Sequence, residues 1–240
     1  MRIPLSDPVW TRLYGPYGVQ DVAGDIGRLL ADWDKTVADE LFWERLHHQE
    51  TLYPVTYAAL PWLREVTRQK PEVRREVLLF LSRVAFCAIG PEQRPGERFV
   101  GLSSDLAAHH SKWLPKEVWL NEADLPVLQA LGDWMESELP RIAEDCIAEL
   151  KGEASRGDVA YLAVGPLAIW GGREAAIAVE MANGGHSVEV IREEMELHDV
   201  DRSALSRLVA SLSDEQVWLR EFAYDLAGIE PRAEQDDLQL

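Results

Sequence analysis

The sequence predicts an all-α protein assembled from stacked helix pairs, on three observations. Apolar residues recur with a helical period of about 3.6 almost from end to end. No stretch shows the sustained period-2 alternation of strands. Laying Lys35 over Pro71 brings Val37 onto Val73, Glu40 onto Glu76, Leu41 onto Val77 and Phe42 onto Leu78, an internal period of 36 residues within the solenoid range. Such a pair cannot bury its apolar face alone, so neighbouring pairs must stack and share a core.

Asp21 to Trp33 places Val22, Ile26, Leu29, Leu30 and Trp33 on one helix face. After a turn at Asp34, Lys35 to His48 continues with Val37, Leu41, Phe42 and Leu46. Leu52 to Lys70 turns Tyr53, Tyr57, Leu60, Leu63 and Val66 inward, and the interior Pro61 predicts a bend. Pro71 then stands at a first helical position, and Val73, Val77, Leu78, Leu81, Val84 and Ala85 carry the stripe to Gly90. Residues 1–90 therefore read as N-terminal helix pairs. With clustered Pro and Gly and weak periodicity, residues 91–115 read as a connecting loop.

Residues 116–240 read as a second helical half, continuous with the first in one solenoid. Glu122 to Leu150 carries one long stripe from Leu125 to Leu150, with Pro140 predicting a kink and Asp133, Glu136, Glu144 and Glu149 on the opposite face. The segment Asp158 to Trp170 is apolar nearly all round, which predicts a central position in the core. Further helices are expected at Glu174–Ala182, Ser187–His198, Asp201–Ser211 and Ser213–Gly228, followed by a frayed polar tail.

A chain of 240 residues can bury a core without disulfide or metal. It has no apolar run near the roughly 18 residues of a membrane span, and its first 14 residues lack the apolar stretch of a secretory signal, so a cytoplasmic location is expected. Cys87 and Cys146 sit far apart within apolar helical patterns and read as buried free thiols. Charge is more informative. Residues 1–120 hold 15 Lys/Arg against 16 Asp/Glu, whereas residues 121–240 hold 9 against 26, so the second half carries −17 of the net −18. That field repels nucleic acid and anionic membranes and speeds encounter with a cationic protein.

The segments W-T-R-L-Y-G-P-Y-G (residues 10–18), D-V-A-G-D-I-G-R-L-L (21–30) and H-H-Q-E-T-L-Y-P-V-T-Y-A-A-L-P-W-L (47–63) resemble a group of bacterial HEAT-repeat-like proteins. Their first two repeats are joined through similar Tyr-Gly, Asp-Val and His-Gln-x-x-x-Tyr-Pro-x-Thr elements. The likeness covers about the first 90 residues and implies a HEAT/ARM-like helix-pair solenoid. Glu50 stands where those proteins often have Gly, which leaves the loop geometry open. In this reading His47, His48 and Gln49 end a helix and satisfy its last carbonyls, while Tyr53 packs across the corner.

No catalytic, cofactor or metal site is expected. The histidine pairs His47-His48 and His109-His110 lack the i, i+4 spacing that chelates on a helix, and no H-E-x-x-H, G-x-S-x-G or phosphate-binding glycine loop occurs. The expected activity is protein binding, with Trp119, Asp133, Glu136, Glu144, Glu149, Glu193, Glu194 and Trp218 as partner-binding residues: carboxylates to steer, aromatics to anchor. Trp43 and Trp113 also stand where the helical stripe does not demand them. The most specific form of this expectation is an immunity protein that neutralises a cationic, secreted toxin domain. A HEAT-type scaffold or adaptor is the alternative, and an enzyme of unrecognised type the third.

Overall fold

The computed structural model of the chain describes residues 2–89, 123–152, 155–198, 202–212 and 219–221. The described residues are mostly helical. The 91–115 connection, most of the final helix, the tail, His109, His110, Trp113, Trp119 and Trp218 lie outside them.

The helices start where the sequence provides caps. Asp21 accepts from the Gly24 amide (3.0 Å) ahead of α1 (Val22–Ala31), and Asp34 accepts from Thr36 (2.8 Å) and Val37 (3.2 Å) ahead of α2 (Lys35–Glu40). A π turn, Leu41–Arg45, continues α2. Helix α3 (Pro54–Gln69) begins on a proline and runs without interruption through Pro61; after the 3₁₀ turn Pro71–Val73 comes α4 (Arg74–Ala88). Beyond residue 122 follow α5 (Leu125–Glu149), α6 (Arg156–Gly171), α7 (Arg173–Asn183), α8 (Val188–Leu197) and α9 (Ser203–Ser211). Ser155 and Ser187 cap α6 and α8.

Two short hairpins depart from the purely helical expectation. Strands β1 (Tyr14–Gly15) and β2 (Gly18–Val19) pair antiparallel, as do β3 (His47–His48) and β4 (Thr51–Leu52). Each strand is two residues long, too short for alternation to register. The hairpin at 47–52 corrects the reading of His47-His48-Gln49 as a helix end. Gln49 and Glu50 both take left-handed backbone (φ 45° and 64°), as a two-residue hairpin turn requires. Glu50 tolerates a conformation that favours glycine because its carboxylate is held by Arg83 and Arg173. The carbonyl of Leu46 is met by the Thr56 hydroxyl rather than by an imidazole. Tyr53 does pack across the corner, edge-on to Tyr14 at 6.4 Å.

Helix α6 touches α4, α5, α7 and α9, while α3 rests on both α4 and α5. The pair α5/α6 thus lies on the pair α3/α4, and the buried apolar side chains from Ile3 to Leu219 form one cluster across both halves. The central place expected for the nearly all-apolar α6 is where the structure puts it. Each fully buried Leu or Val of that helix contributes about 1.5–3 kcal/mol.

Helices α4 and α6 come into backbone contact at Gly165. Gly165 N–H donates to Ser82 Oγ (2.9 Å), and that hydroxyl donates to the Tyr161 carbonyl (2.6 Å), with the Leu162 carbonyl at 3.3 Å. Pro166 has no amide to offer Leu162, so a donor from α4 arrives where the ladder of α6 is broken. A Cβ on Gly165 would stand 2.6 Å from Ser82 Oγ and 2.8 Å from the Ser82 carbonyl oxygen. Gly165→Ala is expected to destabilise the fold by about 2–3 kcal/mol through overpacking, and Ser82→Ala by about 1–3 kcal/mol through an unmet carbonyl. Urea denaturation measures both, and a Gly165→Ala protein as stable as the wild type would show that the helices do not meet this closely.

Candidate functional site

The acidic residues divide into two populations. One lies along the seam between the N-terminal pairs and α5. Arg64 bonds Glu138 (3.4 Å) and Asp145 (2.6 Å), Arg74 bonds Asp145 (2.7 Å), and Arg75 bonds Glu149 (3.0 Å). Arg12 reaches Asp124 at 2.9 Å, just before α5 starts. Arg64 and Glu138 are 6% and 5% exposed, and removing either would leave the other buried with one remaining partner, Asp145 for Arg64 and Arg141 for Glu138. Glu149 belongs to this population. Expected at the partner surface, it is instead held against α4 by Arg74 and Arg75.

The other population faces outward. Asp133, Glu136 and Glu144 are exposed on the side of α5 opposite its apolar stripe, and Glu193 and Glu194 are exposed on α8 beside Glu189 and Glu196. Helix α5 packs on α3, α4 and α6, whereas α8 packs on α7. The predicted carboxylates thus form two acidic faces on separate helices. At Glu189, hydrogen bonds from its own backbone amide and from Ser187 hold the carboxyl below the usual carboxylate range.

Between α7 and α8 lies a groove of about 290 Å³ that the sequence reading did not identify. Ile177, Ala178, Met181, Ile191 and Met195 form its apolar lining, and Glu174, Glu194 and His198 also border it. The available signal was the stripe Val188, Ile191, Met195 at spacings of three and four within an otherwise acidic helix. Its meaning depended on how far α7 covers that stripe, which is a tertiary fact.

A nucleophile and a base do meet inside the fold. Cys87 Sγ lies 3.6 Å from His47 Nε2, under an aromatic cluster in which Trp43 stands edge-on to His47, Phe80 and Tyr161, and Phe42 stacks on Phe80 at 4.7 Å. Trp43 is therefore a junction residue. Because β3 is a strand, its two imidazoles diverge: His47 is buried, and His48 meets the Tyr17 hydroxyl at 3.3 Å. Burial, aided by the nearby Arg83 charge, pushes His47 down to about 4, and burial pushes the Cys87 thiol up to about 12. Both are neutral at pH 7, the opposite of an activated thiolate–imidazolium pair. Burial likewise raises Cys146 to about 12. Among the described residues, no three His, Cys, Asp or Glu side chains cluster in a way that could hold a metal ion.

Two outcomes follow from this buried pair. Neither cysteine should react appreciably with a thiol reagent at pH 8 in the folded protein, and both should react in denaturant. Since the unfolded chain protonates His47 near 6.5 and the folded chain only near 4, stability should fall as pH drops through that interval. The loss attributable to His47 is about 1–3 kcal/mol. Denaturation of wild type and His47→Gln across pH 4–7 measures it, and equal pH slopes would count against the assignment. The chain matches no protein-family model, no curated protein and no solved structure.

Proposed function

We propose that this chain is a protein-binding protein that docks a cationic partner through its outward acidic faces. The carrying observation is the division of charge. Arginines at 12, 45, 64, 74, 75, 83 and 173 are turned to carboxylates of the same chain, while Asp133, Glu136 and Glu144 on α5 and Glu193 and Glu194 on α8 are presented to solvent. A field of that sign accelerates encounter with a positive surface and excludes phosphate backbones. The seating of α5/α6 on α3/α4 supports a HEAT-like helix-pair solenoid as the scaffold.

The most specific form of this reading is an immunity protein that covers the basic cleft of a toxin whose own substrate is anionic. It acts in the cytoplasm, where its two buried free thiols stay reduced. The neutral His47–Cys87 pair supports binding over catalysis. Among the described residues, no helix is long and apolar enough to cross a membrane.

The test is association with the product of the neighbouring reading frame, measured at low and high salt. Wild type should bind it and abolish its activity, with an on-rate that falls as salt rises. Replacing Asp133, Glu136 and Glu144 by Lys, or Glu193 and Glu194 by Lys, should slow association roughly tenfold or more at low salt and change stability by no more than about 0.5 kcal/mol. Salt-independent binding unaffected by both replacements would sink the proposal. Several weaker partners, none of them a toxin, would indicate an adaptor.

A further inference from the structure

We infer that the groove between α7 and α8 is a docking site for a cationic amphipathic segment of a partner protein: apolar anchors flanked by Lys or Arg. This inference rests on the binding function proposed above and names the surface and the recognised chemistry.

Three features point to that occupant. The lining is apolar and adaptable: Ile177, Ala178 and Ile191 form fixed walls, while Met181 and Met195 carry unbranched thioether chains that can remould around different side chains. At about 290 Å³ the space lies near the lower limit of small-molecule pockets, which suits one or two inserted side chains. The border is acidic. Glu174 and Glu194 flank the lining, with His198 3.7 Å from Glu194, and the adjoining surface of α8 adds Glu189 and Glu193, while Glu196 pairs with Arg202. An apolar groove with an acidic margin is the complement of a helix bearing one or two apolar anchors, at i and i+3 or i+4, with basic residues beside them.

Charge also decides against the C-terminal residues of this chain and against a second copy. Residues 222–240 contain five Asp/Glu and a single Arg, and a second copy would present the same net −18. Either would place like charges against Glu174 and Glu194, whereas a cationic segment gains at the margin what it also gains by burying its anchors.

The probe is a short synthetic Leu/Lys amphipathic peptide, with two controls: one with Leu replaced by Ala, and one with Lys replaced by Glu. Binding to the full-length protein is followed by fluorescence anisotropy and calorimetry. Wild type should bind the Leu/Lys peptide, more weakly at high salt, and should bind each control at least roughly tenfold less tightly. Glu174→Lys/Glu194→Lys and, separately, Ile177→Gln should weaken binding by a similar factor, while replacing the exposed Glu44 and Glu72, which lie outside both acidic faces, by Lys should leave it unchanged. Both groove variants alter partly or fully exposed positions, and unchanged circular dichroism and melting confirm that they fold.

If the α5 replacement abolishes peptide binding and the groove variants do not, cationic docking stands and the groove assignment falls. If wild type binds the Leu/Glu peptide as well as the Leu/Lys peptide, both readings fall. A wild-type dimer that Ile177→Gln converts to monomer would overturn the assignment in favour of a second copy.

Discussion

A single hydroxyl sets the geometry on which the rest of the molecule depends. Ser82 sits between the amide of Gly165 and the carbonyl of Tyr161, inside the hydrogen-bond ladder of α6 at the turn that Pro166 interrupts. This arrangement brings α4 and α6 to backbone contact, because Gly165 has no side chain to keep them apart. Since α6 also touches α5, α7 and α9, its position relative to α4 determines where the whole C-terminal half lies. It is a polar contact within an apolar core, and it holds because each buried donor and acceptor in it has a partner.

The second constraint is electrostatic. Judged by sequence, the first half is nearly neutral and the second strongly acidic, yet the halves are not electrostatically independent. Arginines of the first half, at positions 12, 64, 74, 75 and 83, meet Asp124, Glu138, Asp145, Glu149 and Glu180 of the second. Such pairs add little net stability against an apolar alternative, but the five that Arg64, Arg74 and Arg75 make with Glu138, Asp145 and Glu149 penalise any other register of α5 on α3 and α4. The remaining acids, on α5 and α8, face away from the seam and form the external field. One compositional asymmetry therefore serves assembly and, in the proposed reading, recognition, and the two uses are separated residue by residue.

This separation makes the N-terminal half a platform. Its reactive-looking groups are buried and neutral, with His47 and Cys87 enclosed beneath Trp43 and Phe80, and its hairpin tip is tied to α7 through Glu50 and Arg173. The features proposed for recognition lie in the C-terminal half: the acidic faces of α5 and α8, and the Met-lined groove between α7 and α8. In the proposed reading steering and anchoring come from different chemistry, with long-range attraction from carboxylates and short-range contact from a desolvated apolar patch.

Helix positions, the turn at Asp34, Pro71 at a first helical position, the nearly all-apolar α6 and the two free buried cysteines were legible in the sequence. Each is a local property, governed by a 3.6-residue period or by a side chain bonding its own backbone. The hairpin at His47–Leu52 was not, because strands of two residues carry no alternation and the left-handed turn at Gln49-Glu50 is stabilised by Arg83 and Arg173 from distant helices. Glu149 looked like its neighbours Asp133, Glu136 and Glu144, since all four lie on the polar side of one helix. Only the approach of α4 decided that Glu149 would be enclosed and the others left in solvent. By itself the sequence determined the helices, their apolar faces and the excess negative charge. The tertiary structure alone decided which charges were neutralised within the chain, and where a groove opened between two helices, because both depend on distances between residues far apart along the chain.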